Sequence, residues 1–116
     1  MDKQTHATAT TYQIRLSENA IQNIDEITGY IAFINHQPLN AIKVGDAFFE
    51  AIGKIEQNPY ASKECGLIPT KSKMYRQKIC LSWYIVYKIV APQVIVLGII
   101  HISRKPSKIK ALRKIK

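Results

Sequence analysis

The apolar residues of this chain change period once, and that change divides it into a helical half and a strand half. Between residues 17 and 57 they recur at helical spacing. Ala20, Ile24, Ile27, Ile31 and Ile34 step by four and three, widened by Ile21 and Tyr30, and Ala41, Val44, Phe48, Ala51, Ile52 and Ile55 form a second stripe. Each stripe marks one side of an amphipathic helix and therefore needs a surface to bury against. Ser17 stands where an N-cap is wanted, with Glu18 at the positive end of the helix dipole. The segment 36–40 breaks the first stripe, Pro38 is placed to open the second helix, and Asn58 with Pro59 closes it. The spacing thus predicts an antiparallel helical hairpin.

From residue 74 onward the period is that of strands. Segments 74–81, 83–90 and 94–102 are rich in β-branched and aromatic residues, and Leu81-Ser82 and Ala91-Pro92-Gln93 separate them as turns, which predicts a three-stranded meander. Residues 12–16 alternate in the same way and predict a short first strand, while the nearly continuous apolar run 94–100 predicts the best-buried one. The order strand, helix, helix, three strands implies an α+β fold. The N-terminal strand and the two-helix hairpin pack on one face of an antiparallel sheet that contains the C-terminal meander, and the other face is expected to stay open. Residues 60–73 have no sustained period and contain Gly66 and Pro69, so they are expected to form a loop of a length that often carries function. With 116 residues there is room for one domain. Its expected limits are 12–103, with a flexible segment 1–11 before it and a basic tail 104–116 after it.

Charge follows the same division. All eight acidic residues lie in the first 64 positions beside five basic ones, whereas the remaining 52 carry twelve Lys or Arg and no acid. Such a half is an electrostatic footprint for a polyanion, whether nucleic acid, ribosome or an acidic protein segment. No apolar run is long enough to span a membrane and the polar start lacks a secretory h-region, so a cytoplasmic protein with no membrane partner is expected. Cys65 and Cys80 have no CxxC spacing and are read as reduced structural thiols. His6 and His36 stand far from any matching ligand, so neither a metal nor a cofactor is expected.

Alternation places Met74, Arg76, Lys78 and Cys80 on one face of their strand and Tyr75, Gln77, Ile79 and Leu81 on the other. The Arg76/Lys78 face is assigned to solvent. Together with Lys88, Arg104 and the tail residues Lys105, Lys108, Lys110, Arg113 and Lys114 it would make a positively charged target-binding platform. Trp83 and Tyr87 share one face of the next strand and Tyr84 takes the opposite one, so at least one of these rings is expected in the core. His101, isolated in the apolar last strand, is read as structural rather than catalytic. In the tail Ile109, Leu112 and Ile115 recur at three-residue steps and suggest a short basic amphipathic helix. Seven of the fourteen residues 103–116 are Lys or Arg, so the tail is expected to contact the target and to contribute little to folding. Completion of the core by its three apolar residues is the alternative.

The segments 12–17, the hairpin ending Asn58-Pro59, and then Tyr75-Arg-Gln-Lys-Ile79, Trp83-Tyr-Ile-Val-Tyr-Lys-Ile89 and the run 94–104 together resemble the RelE/ParE toxin superfamily over residues 12–108. The resemblance implies the toxin of a bacterial type II toxin–antitoxin pair. Its partner would be a cognate antitoxin whose arm wraps it, and operator DNA would be met only through the antitoxin complex. In RelE-like members, which cut mRNA on the ribosome, basic residues fall at the positions of Arg76, Lys78 and Arg104, so these would be the catalytic set. Here, however, Tyr84 stands where such toxins carry a catalytic arginine, and Lys110 stands near their C-terminal tyrosine. The wording of the last two strands is closer to ParE-like members, which poison DNA gyrase without being hydrolases. Gyrase binding without enzymatic activity is the leading expectation, ribosome-dependent mRNA cleavage the alternative, and a non-catalytic nucleic-acid-binding module a third.

Overall fold

The computed structural model describes residues 11–116, so all of the segment expected to be flexible except Thr11 lies outside the described residues. Strand β1 (Gln13–Leu16) leads into helix α1 (Glu18–Gly29), which ends in a π-helical turn (Tyr30–Ile34). Helix α2 (Pro38–Gln57) and a 3-10 turn (Pro59–Ala61) follow, then strands β2 (Tyr75–Cys80), β3 (Trp83–Val90) and β4 (Gln93–His101). The chain closes with helix α3 (Pro106–Lys110) and a 3-10 turn (Ala111–Lys114). Pro38 opens α2 at its first turn, where the missing N–H costs nothing.

The α+β fold expected from the pattern is the one found, with the sheet ordered β1-β4-β3-β2. The sheet is mixed and not wholly antiparallel as expected, and β1 lies within it instead of on its face with the helices, because β1 joins β4 in parallel while β2, β3 and β4 run antiparallel. The β1–β4 pairing ends at Leu16 and Val96, one residue before β4 slips in register against β3. The start of α1 takes over from there. The Ser17 N–H donates to the Val96 carbonyl at 2.9 Å. Its Oγ donates to the Leu97 carbonyl and accepts from the Ala20 N–H, both at 3.0 Å, so the expected N-cap also completes the sheet edge. Asn19 Nδ2 donates to the same Leu97 carbonyl at 2.9 Å, and the Ile99 N–H donates to Asn23 Oδ1 at 2.9 Å. Three polar side chains of α1 and its cap therefore replace the ladder bonds that β1 is too short to supply, which keeps the buried β4 backbone paired.

Both faces of the sheet are covered, which corrects the expectation that one would remain open. On the helical side Ala20, Ile24, Phe48, Ile52 and Ile55 meet Ile85, Tyr87, Val94 and Val96 in the larger cluster. On the other side Tyr75, Val86 and Leu97 pack with Cys65 and Ile68 of the connecting loop and with Ile109 and Leu112. The C-terminal segment is therefore part of the core, contrary to the expectation that it adds little to folding. At about 25 cal/mol per Å² of apolar surface, burial of two such side chains stabilises by a few kcal/mol. Gly98 lets the segment approach, since a Cβ there would stand 2.7 Å from Leu112 Cδ2.

Candidate target-binding site

The residues expected to form one basic platform lie on different surfaces. Arg76 and Lys78 share the side of β2 whose Cys80 thiol donates to the Ala47 carbonyl of α2 at 3.5 Å, and Arg76 is registered with Tyr87 of the helical-side cluster. Their face is thus the helical one, which corrects its assignment to open solvent; they remain half-buried because β2 is the edge strand. Lys88, registered with Tyr75, lies on the opposite face with its Nζ 5.8 Å from the centre of the Tyr75 ring. Arg104 follows the turn after β4.

Arg76 is engaged with the protein itself. Its Nε donates to the Lys73 carbonyl at 2.9 Å, its Nη1 donates to the Ser62 carbonyl at 3.0 Å and reaches the Tyr60 carbonyl at 3.5 Å, and the guanidinium lies 5.1 Å from the centre of the Tyr60 ring. A planar fork of donors can serve several carbonyls at once, so this side chain clamps both ends of the connecting loop onto β2. Backbone bonds reinforce it, with Cys65 N–H to Tyr75 O at 2.8 Å and Gln77 N–H to Lys63 O at 3.1 Å. The loop is consequently a structural cover over the second cluster.

Tyr87 is fully buried, as expected for one ring of the aromatic group, and its hydroxyl donates to the Pro59 carbonyl at 2.6 Å. Burial pushes that hydroxyl above its ordinary pKa, and burial does the same to the thiols of Cys65 and Cys80, both free. Thiols held in the protonated form are poor nucleophiles. No group of three His, Cys, Asp or Glu side chains able to hold a metal occurs among the described residues, and no described helix is long and apolar enough to cross a membrane.

The remaining cations gather at the C-terminal end. Burial of Ile109 and Leu112 on one side of the segment turns Lys105, Lys108, Lys110, Arg113 and Lys114 outward, all of them exposed, with Arg104 at its start. Between this segment and α1 opens a cleft of about 890 Å³ whose walls include Glu26, Tyr30, Trp83, His101, Arg104 and Lys108. His101 is exposed; its Nδ1 accepts from the Ser103 N–H at 3.1 Å, which places the proton of the neutral ring on Nε2, and it lies 2.8 Å from Ser103 Oγ. The ring stands edge-on to Trp83 with centroids 5.5 Å apart. Sequence reasoning found Arg104 and Lys108 but missed Glu26, Tyr30 and the His101–Ser103 contact. Nothing local in the sequence brings α1 beside the end of β4; long-range contacts do, among them the bonds from Ser17, Asn19 and Asn23 and the packing of Ala20 and Ile24.

A family model described as the ParE toxin of the type II toxin–antitoxin system parDE matches residues 14–106. Among solved structures the chain is similar to one from the chromosomal ParDE system of P. aeruginosa, with 16% identity and a TM-score of 0.65 over 80% of this chain and 98% of the other. No curated protein sequence matches it.

Proposed function

Because the chain belongs to the ParE toxin family of type II toxin–antitoxin systems, we propose that it arrests growth by binding DNA gyrase in the cytoplasm. In this reading it acts without hydrolysis, and a cognate antitoxin neutralises it. The observation that supports this reading is that the cations a nuclease would have to bring to one site are divided between β2, where Arg76 and Lys78 share a face, and the turn beyond β4, where Arg104 lies. Arg76 is spent on loop carbonyls, Lys78 lies on the helical side of β2, and Arg104 lies beyond β4. A basic end with five outward cations and a neighbouring cleft supports the alternative use, docking on a large acidic surface. An acidic antitoxin arm would cover the same end, and operator DNA would be met through that complex.

Ribosome-dependent mRNA cleavage is the second reading, favoured by the presence of His101, Arg104 and Lys108 around one cleft, where a proton carrier and cations would face a phosphodiester. Induction of the chain alone separates the two. Gyrase binding predicts growth arrest, double-strand breaks that depend on gyrase, intact message, and rescue by the antitoxin gene. Codon-phased cuts in ribosome-bound mRNA, with DNA unbroken, would replace gyrase by the ribosome. Normal growth at confirmed soluble expression would remove both.

A further inference from the structure

The cleft between α1 and the C-terminal segment has walls of opposite charge and three rings among its lining residues. Asn19, Asn23, Glu26 and Tyr30 recur at steps of four, three and four, so one side of α1 and its π-helical continuation faces the cleft. The two asparagines are taken up by the β4 backbone, at the Leu97 carbonyl and the Ile99 N–H. Glu26 and Tyr30 hold no part of the sheet and are exposed; Glu26 Oε2 accepts from Gln22 Nε2 of its own helix at 3.2 Å. Among the lining residues Glu26 is the one acid, and Arg104 and Lys108, across from it, are the cations. Trp83 is half-buried and His101 exposed, and because His101 Nδ1 accepts from the Ser103 N–H, its Nε2–H is left to donate.

Rings, two cations and a single carboxylate are complementary to a nucleotide. A base stacks on aromatic rings whatever its identity, and cations hold its phosphates. The carboxylate adds selection, because it can only accept. Guanine sets N1–H and the N2 amino group side by side, two donors for two carboxylate oxygens. Adenine and cytosine set one amino group beside a ring-nitrogen lone pair, which a carboxylate repels, and uracil offers a single N–H between two carbonyls. The volume of about 890 Å³ lies within the range of roughly 300–1,000 Å³ usual for small-ligand sites. We propose that this cleft is a binding site for a guanosine 5′-phosphate, with Glu26 reading the base, Trp83, His101 and Tyr30 stacking on it, and Arg104 and Lys108 holding the phosphates. The site is independent of the macromolecule that the toxin arrests.

Trp83 is the only tryptophan of the chain, so its fluorescence reports on the cleft directly. The test uses the full chain, produced without living cells, at physiological salt, titrated with GDP, ADP, guanosine and inorganic phosphate. GDP should change the Trp83 emission saturably and bind at least ~tenfold tighter than each of the other three. Glu26→Gln should weaken GDP and strengthen ADP, because an amide offers adenine one donor and one acceptor, so the preference between the bases should vanish or invert. Replacing Arg104 and Lys108 together by alanine should bring GDP down to the affinity of guanosine and leave guanosine itself unchanged. All three substitutions fall on exposed side chains, so melting temperatures should stay within a few degrees of the wild type. A loss of folding cannot produce an inverted base preference. An emission that GDP leaves unchanged would overturn the proposal. So would equal binding of GDP, ADP and phosphate, the behaviour of a patch that attracts any anion, or a preference for guanine that survives Glu26→Gln.

Discussion

Gly98 is where the C-terminal segment comes closest to the sheet. A Cβ would stand 2.7 Å from Leu112 Cδ2, 3.0 Å from Asn19 Nδ2 and 3.1 Å from Asn23 Oδ1. The two asparagines hold the Leu97 carbonyl and the Ile99 N–H, so the leucine is the group that must yield. Gly98→Ala should therefore cost about 1–3 kcal/mol by overpacking. Leu112→Ala should cost about 2–5 kcal/mol by leaving a cavity. The double variant should lose less than the two single losses together, because the new methyl fills part of the vacated space. Urea midpoints measure all three, and strictly additive losses would show that the two positions do not share that space. At this scale the sequence was least readable. Arg76 as a ligand for a target and Arg76 as a clamp on carbonyls are the same residue in the same alternating strand; what separates them is where residues 60, 62 and 73 lie, which is a property of the folded loop.

Among the elements, the helices and the meander were readable because their apolar periods differ, and the caps agreed with the periods: Ser17 and Pro38 stand at the starts expected of them. The layer on the second sheet face was not. Alternation tells which residues share a face, not what covers it, and the cover here comes from an aperiodic loop and a short segment with only three apolar residues at helical spacing. That segment has two separable roles. Deleting residues 107–116 removes Ile109 and Leu112 from the core and bares Val86 and Leu97, so the truncated protein should unfold at a much lower temperature or fail to fold. Replacing Lys105, Lys108, Lys110, Arg113 and Lys114 by glutamine touches only exposed side chains and should leave the melting temperature within a few degrees while weakening target and antitoxin binding. A truncation with an unchanged midpoint would put the segment outside the core.

The whole molecule is electrically lopsided, with a surplus of negative charge before residue 65 and twelve cations with no acid after it. The fold keeps part of this asymmetry at the surface, since the C-terminal cations point outward. Encounter with an acidic antitoxin arm should be steered by this field, which salt screens over about 8 Å at physiological ionic strength. Stopped-flow association should slow steeply as salt rises, with dissociation much less affected, and the glutamine variant should lose most of that slope. Equal salt slopes for the wild type and the variant would place the steering charges elsewhere. The direction of this asymmetry could be read from composition alone. Its concentration on one segment could not, because that depends on Ile109 and Leu112 turning inward.

The parallel register of β1 with β4 has a kinetic consequence. Ser17 meets Leu97 across 80 positions of chain, whereas β2, β3 and β4 pair with their sequence neighbours through tight turns. Closing so large a loop is entropically expensive and is repaid late, so the helical hairpin and the meander should assemble first and β1 should zip on afterwards. During synthesis the sheet edge of β4, and the cleft beside it that Asn19 and Asn23 help to shape, cannot exist until β4 has left the ribosome. Until β1 docks, the edge of β4 stays without its parallel partner. Ile14→Val should then speed unfolding and leave the refolding rate unchanged; a slower refolding limb would mean that β1 docks early.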